Sequence, residues 1–372
     1  MRKSRVALLV FILSLAFTTS ASANWMQGGH YTLDEFYEAI RGVEDIAPEF
    51  VTVSEFGKSV EGRPLLVIKI AVPDGKKRAE ALITGTIHAN EWTGGRVALA
   101  IAERLAKGRG NDEWIDSLLS DMDFYVIPLM NPDGYLDADR HLDWGYTWRR
   151  DNANHVDLNR NWPYPREVET SASGAFLGGS NFKWHPNYSG PYPLSEPETQ
   201  ALDRFVSEHR FFTEIDFHTT GGHFSYAWSW KPEPAPDKHV FQAMGVEFRK
   251  RQPHHKYQVH QSFEWYQVIG SSKDWVYATY GVRALTIEVG IPKEYNRWKM
   301  GIRALNPFYR YNPLDVEHWI ENDRDPTLYA IQKCYELTDG KPAEPVTEIE
   351  WVTGEMGEKE ELNFIIVPKT PN

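Results

Sequence analysis

His88 and Glu91 stand three residues apart in the stretch Thr84-Gly85-Thr86-Ile87-His88-Ala89-Asn90-Glu91-Trp92. An imidazole nitrogen and a carboxylate oxygen are both good zinc donors. Two histidines with one glutamate form a catalytic zinc set that leaves a position open for water. The pair alone is weak, because His-x-x-Glu arises by chance in many surface loops. A third donor is available in His218, within Glu214-Ile215-Asp216-Phe217-His218-Thr219. A base is available in Glu288, a carboxylate that ends the apolar run Ala284-Leu285-Thr286-Ile287. Carboxylates are seldom buried without a partner. Water polarised by zinc would be such a partner, since the metal lowers its pKa to about 7 and a nearby carboxylate can take the proton. The competing reading of Glu288 is a salt bridge to Arg283.

These residues must be brought together by the elements around them. The apolar run Ala81-Leu82-Ile83 reads as a strand and Arg96 to Leu105 as a helix, so His88 and Glu91 fall on a strand-to-helix turn, where open α/β sheets place their ligands. A strand Phe212 to Phe217 ends at His218, and another, Val282 to Val289, ends near Glu288. The ends of such strands form one rim, so residues distant in sequence can converge. The pattern further predicts a helix over Glu35 to Ile46, capped by Thr32 or Asp34. A turn-rich hairpin region over 56–64 precedes a strand Leu65 to Ala71, and Asp123 to Leu129 reads as another buried strand. Helices are expected around Asp112 to Leu119, from Ser195 as cap through His209, over His239 to Arg251, and over Ser272 to Thr279. A last helix is expected within Leu314 to Leu337, interrupted near Pro326. The segment from Tyr135 to Pro193 reads as a long functional loop. Strands alternating with helices predict one α/β domain, with a mixed, mostly parallel twisted sheet flanked by helices on both faces.

Composition is that of an ordinary globular chain: 372 residues, 41% hydrophobic and 25% charged. Residues 1–23 stand apart. Arg2, Lys3 and Arg5 precede the apolar run Val6 to Phe17, and Ala21-Ser22-Ala23 offers a small-x-small cleavage site. This is the pattern of a signal peptide cut before Asn24, so the expected product is secreted or periplasmic, with no membrane attachment after signal removal. A catalytic domain over 24–337 and a peripheral tail over 338–372 complete the expected organisation. The formal charge of −12 argues against nucleic acid or anionic membrane as partners. Cys334 is the only cysteine, which excludes an internal disulfide.

Several motifs in order resemble the zinc metallocarboxypeptidases of the carboxypeptidase A-like family, over about residues 30 to 335. They are Gly57-Lys58-Ser59-Val60-Glu61-Gly62-Arg63-Pro64, His88-Ala89-Asn90-Glu91-Trp92, Asn131-Pro132-Asp133-Gly134-Tyr135, Val156-Asp157-Leu158-Asn159-Arg160-Asn161-Trp162 and Ser195-Glu196-Pro197-Glu198-Thr199. Tyr266 precedes Glu288 with the spacing of the pancreatic branch. The resemblance implies that His88, Glu91 and His218 bind one zinc ion, and that Glu288 is the general base and acid. It implies that Asn159 and Arg160 hold the terminal carboxylate of a peptide or protein substrate, and that Tyr266 closes over it. An arginine should stabilise the oxyanion. Alignment with the regulatory branch puts Arg150 there. Alignment with the pancreatic branch puts Asn152 there, which cannot do the job, and Arg149 lies alongside. Arg150 is the choice. Asn90 replaces an arginine of the pancreatic branch, so the chain mixes features of both branches.

In the family, the residue seven after the closing tyrosine sits at the base of the side-chain pocket. Here it is Lys273, and a cation there implies preference for C-terminal Glu or Asp by charge pairing. The competing reading is a lysine that snorkels to solvent from a helix start. The function expected is an exported, monomeric zinc carboxypeptidase. The alternatives are a hydrolase of anionic cell-wall stem peptides with the same chemistry, and an inactive peptide- or glycan-binding protein using the tryptophan-rich stretch Trp144 to Trp184.

Overall fold

The structure, a computed structural model, describes residues 29–142, 149–163, 178–295, 305–352 and 363–368. The signal-peptide pattern and much of the stretch Trp144 to Trp184 lie outside these residues. Eight strands form one sheet: β1 (Val51–Lys58), β2 (Pro64–Ile70), β3 (Ala79–Gly85), β4 (Met122–Ile127), β5 (Phe211–Thr219), β6 (His223–Tyr226), β7 (Gln258–Gln261) and β8 (Arg283–Val289). Their order is β1-β2-β4-β3-β5-β8-β6-β7. The centre, β4-β3-β5-β8, is parallel, and β1-β2-β4 and β8-β6 are antiparallel. This is the mixed, mostly parallel sheet expected.

Strand alternation sorts the apolar side chains onto two faces. Ala81, Ile83, Phe124, Val126, Ile215 and Phe217 belong to one core. It is covered by α1 (Leu33–Ile46), α2 (Trp92–Gly108), α6 (Lys238–Arg251) and α9 (Val316–Thr338). Leu82, Tyr125, Ile127 and Ala284 belong to the other, covered by α5 (Pro197–Ser207) and α7 (Ser272–Tyr280). Smaller helices are α3 (Glu113–Asp121), α4 (Pro132–Arg140) and α8 (Phe308–Tyr311). Among the described residues no helix is long and apolar enough to cross a membrane.

Some elements differ from expectation for identifiable reasons. Thr32 caps α1 in a capping box with Glu35, but Ser195 does not cap α5. The cap is Glu196, and the Ser195 hydroxyl donates to the Glu196 carboxylate at 2.6 Å. The segment after Asn131 is not wholly loop: Asn131 caps α4, with Pro132 in its first turn. Pro326 does not interrupt α9, which continues to Thr338. Proline removes one backbone donor, and Leu328, Ile331 and Cys334, buried on the following turns, carry the helix through. After α9 the chain remains attached, with Ala343 N–H donating to Gly281 O and Val346 N–H to Ala278 O. It ends in a hairpin of β9 (Thr347–Val352) and β10 (Asn363–Pro368).

The entry of α2 lies directly on the sheet. A Cβ built on Gly94 would lie 2.7 Å from the Phe217 carbonyl oxygen, one residue before His218. One built on Gly95 would collide with Thr86 Oγ1. Gly→Ala inside a helix ordinarily stabilises by about 1 kcal/mol. Here the sign should reverse: Gly94→Ala should destabilise by roughly 1–3 kcal/mol in urea unfolding, the usual range for overpacking. A stabilised variant would show that α2 can lift off β5 without loss.

Candidate active site

The parallel strands β3, β5 and β8 bring their C-terminal ends to one rim. His218 is directly opposite Glu288 in the β5–β8 ladder. His88 lies three residues beyond the end of β3, and Glu91 is the residue that enters α2. The turn between them is held from several sides. Thr86, a β-branched residue at φ +56°, takes a left-handed conformation that costs roughly 1–3 kcal/mol. It is pinned by its hydroxyl, which donates to Pro128 O, and by Asn131 N–H, which donates to its carbonyl. Trp92 Nε1 donates to Ala89 O at 2.9 Å, and its indole stacks on Tyr135 at 4.1 Å. The fully buried Asn312 donates to Asn90 O at 2.7 Å and accepts from Thr93 N–H at 3.1 Å.

His88, Glu91 and His218 are 3%, 4% and 2% exposed. His88 Nδ1 is 3.0 Å from Glu91 Oε1 and 3.0 Å from His218 Nδ1, which is 3.0 Å from Glu91 Oε2. Donor atoms that close suit a common ion about 2.0–2.2 Å from each. Among the described residues this is the one group of three or more such side chains whose donor atoms already lie within 4.8 Å of one another. Each imidazole turns its other nitrogen to a carboxylate. His88 Nε2 is 3.2 Å from Asp157 Oδ1, and His218 Nε2 is 2.7 Å from Asp216 Oδ2. Such carboxylates fix the tautomer that leaves Nδ1 free as a ligand and raise its basicity. Thr219 N–H donates to Glu91 Oε2 at 3.0 Å and orients that carboxylate. Burial opposes the charged form of Glu91, but the two imidazoles hold its carboxyl well below the usual range. The donors fit zinc in type, number and spacing.

Glu288 is not paired with Arg283, which reaches Asp237 at 3.1 Å. It lines a cavity together with His88, His218, Asn159, Arg160 and Tyr266. Burial, reinforced by the Glu91 charge, pushes its carboxyl up to about 7, while His218, His88 and Lys273 pull the other way. Arg150 and Arg149 face apart. Arg150 Nε lies 3.0 Å from Asp157 Oδ2 and its Nη2 2.6 Å from His88 Nε2. Arg149 turns to Asp137 at 2.8 Å and to His155. Asn152 is committed elsewhere, donating to Glu196 and Glu198.

Asn159 Oδ1 accepts from Ser272 N–H at 3.0 Å, which directs its amide nitrogen towards the cavity side where His218 lies. Arg160 is 2% exposed, and its Nη1 donates to Asn159 O at 2.8 Å. Half-buried Tyr266 packs edge-on against Trp265 at 5.0 Å.

Lys273 does not snorkel. It is 7% exposed and lines the cavity, with Nζ 3.2 Å from Thr286 Oγ1 and 3.4 Å from Ser225 Oγ. These hydroxyls belong to a row across the sheet, Thr84–Asp216–Thr286–Ser225, set by ladder register. Ser229, Ser262 and Ser271 also line the cavity. Burial lowers the lysine pKa, and Asp274, Glu288 and Asp216 offset part of that.

Asp157, Asp216 and Asn312 have no role in the sequence reading. Asp216 carried a signal: it lies two residues before His218 on a strand, hence on the same face.

A family profile described as zinc carboxypeptidase matches residues 36–308. Mouse carboxypeptidase A4 is 29% identical over 221 residues, covering 58% of this chain and 51% of the relative. Mouse carboxypeptidase A2 is 29% identical over 266 residues, covering 68% and 61%. The chain thus spans about half to three fifths of the length of these curated relatives. In structure it is similar to thrombin-activatable fibrinolysis inhibitor, with a TM-score of 0.66, 23% identity and coverage of 85% of this chain and 76% of that one. It is also similar to carboxypeptidase A from Helicoverpa armigera, with a TM-score of 0.65, 20% identity and the same coverage. At these identities the structural likeness concerns the fold.

Replacing Asp216 with Asn should weaken metal retention about 10–100-fold, the usual effect of losing such a partner. Chelator competition followed by metal analysis measures this. Unchanged retention would mean that His218 needs no support from Asp216.

Proposed function

The chain belongs to the zinc carboxypeptidase family, and we propose that it removes single residues from peptide C-termini, with preference for Glu or Asp. The observation that carries the second half is the buried Lys273 cation in the same cavity as Asn159, Arg160 and Glu288.

The cofactor is zinc, held in this reading by His88, Glu91 and His218. Zinc supplies a Lewis acid and an acidified water at this position. Arg160 and Asn159 grip the terminal carboxylate. A guanidinium fork matches a carboxylate in a bidentate way, and the amide adds direction. Tyr266 closes the cavity over the bound residue and excludes water. Glu288 takes the proton of the attacking water on a carboxylate oxygen and delivers it to the leaving amine nitrogen. Arg150 donates to the oxygen that gains charge as the carbonyl becomes tetrahedral. Lys273 pairs with the side-chain carboxylate of the departing residue. Thr286 and Ser225 hold Nζ in place before that carboxylate arrives, so little reorganisation accompanies binding. The reading includes export, supported by the pattern of Arg2 to Phe17 and Ala21-Ser22-Ala23.

Two predictions test this. Lys273→Asp should lower kcat/KM on C-terminal Glu by about two orders of magnitude, the scale of removing one partner of a buried charge pair. It should raise relative cleavage of C-terminal Lys or Arg. An unchanged profile would remove Lys273 from specificity. Glu288→Gln should lower kcat about 10²–10⁴-fold. In the native enzyme Glu288 must be ionised to act as base, so kcat/KM should fall as pH falls through its pKa. Burial sets that limb above the ordinary carboxylate range, up to about 7, and a bound cation draws it down from there. A profile flat down to about pH 4, the ordinary Glu range, would contradict a buried base.

A further inference from the structure

A second set of histidines lies ahead of β7 and at the start of α9. The loop between α6 and β7 carries His254 and His255, and the first turn of α9 carries His318. His255 Nε2 and His318 Nε2 are 3.1 Å apart. Two neutral imidazoles can share one N–H at that distance. They can equally turn both lone pairs onto one cation, since ligand nitrogens about 2.0–2.1 Å from a tetrahedral zinc stand roughly 3.3 Å apart.

Three observations favour a built site over a chance contact. Both rings are fixed: His255 stacks on Trp319 at 4.8 Å and 22°, and His318 on His254 at 4.4 Å and 23°. The loop backbone is fixed as well. Asn322 Oδ1, fully buried, accepts from both His254 N–H and His255 N–H at 3.1 and 2.8 Å. Asn322 also donates to Asp323, whose carboxylate accepts from Gln252 and from the Tyr257 hydroxyl. Third, Glu321 follows His318 by three residues, hence on the same helix face, and it already reaches the cluster, 3.2 Å from His254 Nε2. Its side chain is 66% exposed and so can swing. His318-x-x-Glu321 with His255 repeats the donor types at the rim: two imidazoles and a carboxylate. Burial, and then the adjacent His318, lower the His255 pKa, which keeps it in the neutral form that ligates.

We propose that His255, His318 and Glu321 form a second divalent-metal site that takes zinc or a cation of similar preference for imidazole. The half-buried rings leave it open to solvent, so it binds more weakly than the rim set and fills only when free metal is in excess. Occupancy staples the loop of His254 and His255 to α9.

Zinc stoichiometry tests it. Holoenzyme is equilibrated against free zinc from nanomolar to tens of micromolar, and bound zinc per chain is measured by mass spectrometry. The native chain should rise from one to two, while His318→Gln and His255→Gln should stay at one. Excess zinc should also raise the melting temperature of the native chain and not of either variant, because a ligand that binds only the folded state stabilises it. The comparison is between native and variant chains, so it holds whatever reaction the rim performs. A native chain that never exceeds one zinc overturns the proposal, and so does a second zinc retained by both variants. If one variant fails to fold, the other decides.

Discussion

Two imidazoles and a carboxylate sit with donor atoms 3.0 Å apart in a rim only a few per cent exposed. Polar groups so placed are unfavourable unless each has a partner, and the surroundings supply one for nearly every free atom. Asp157 and Asp216 take the outer nitrogens, and Thr219 N–H takes a carboxylate oxygen of Glu91. The strained Thr86, the two glycines in the first turn of α2 and the Asn312 brace keep the turn in place. Asp157 has a second task, since it also draws in Arg150. On the proposed reading, one buried carboxylate therefore positions both a metal ligand, His88, and the oxyanion donor, Arg150.

The specificity proposed above rests on the same face of the sheet. One step below His218 and Glu288, the ladder places Thr84, Asp216, Thr286 and Ser225 in a single polar row. Apolar residues there would give a greasy pocket floor. Instead the floor carries hydroxyls that hold Lys273 Nζ. A buried cation is costly unless it is matched. Here part of the match comes from acids of the site itself, Asp274, Glu288 and Asp216; on the proposed reading an anionic group on the substrate supplies the remainder.

Much of this was legible in the sequence because it depends on period and on strand ends. The strands around Ala81, Asp123, Phe212 and Val282 announced themselves as apolar runs, and the chemistry-bearing residues ended them. The edges were harder to read. β6 and β7 are four residues each, too short to show alternation, and β1 has only Val51 fully buried. α4 was missed although Asn131-Pro132 is a good helix start, because the glycine and polar residues after it resemble a turn. Whether Lys273 points in or out could not be read from periodicity. It depends on Ser225 and Thr286, residues on two other strands, meeting it in space. The orientation of Arg149 and Arg150 likewise depends on Asp137 and Asp157, one on each side of the chain.

The most direct measurement is release of free amino acids from peptides that differ only in the C-terminal residue, before chelation, after it, and after zinc is restored. Single-residue release that stops on chelation, returns with zinc and is fastest for Glu or Asp is the expected result. Release that continues at full rate in metal-free protein would contradict the metal centre, and an absence of release from every peptide would contradict the carboxypeptidase reading itself.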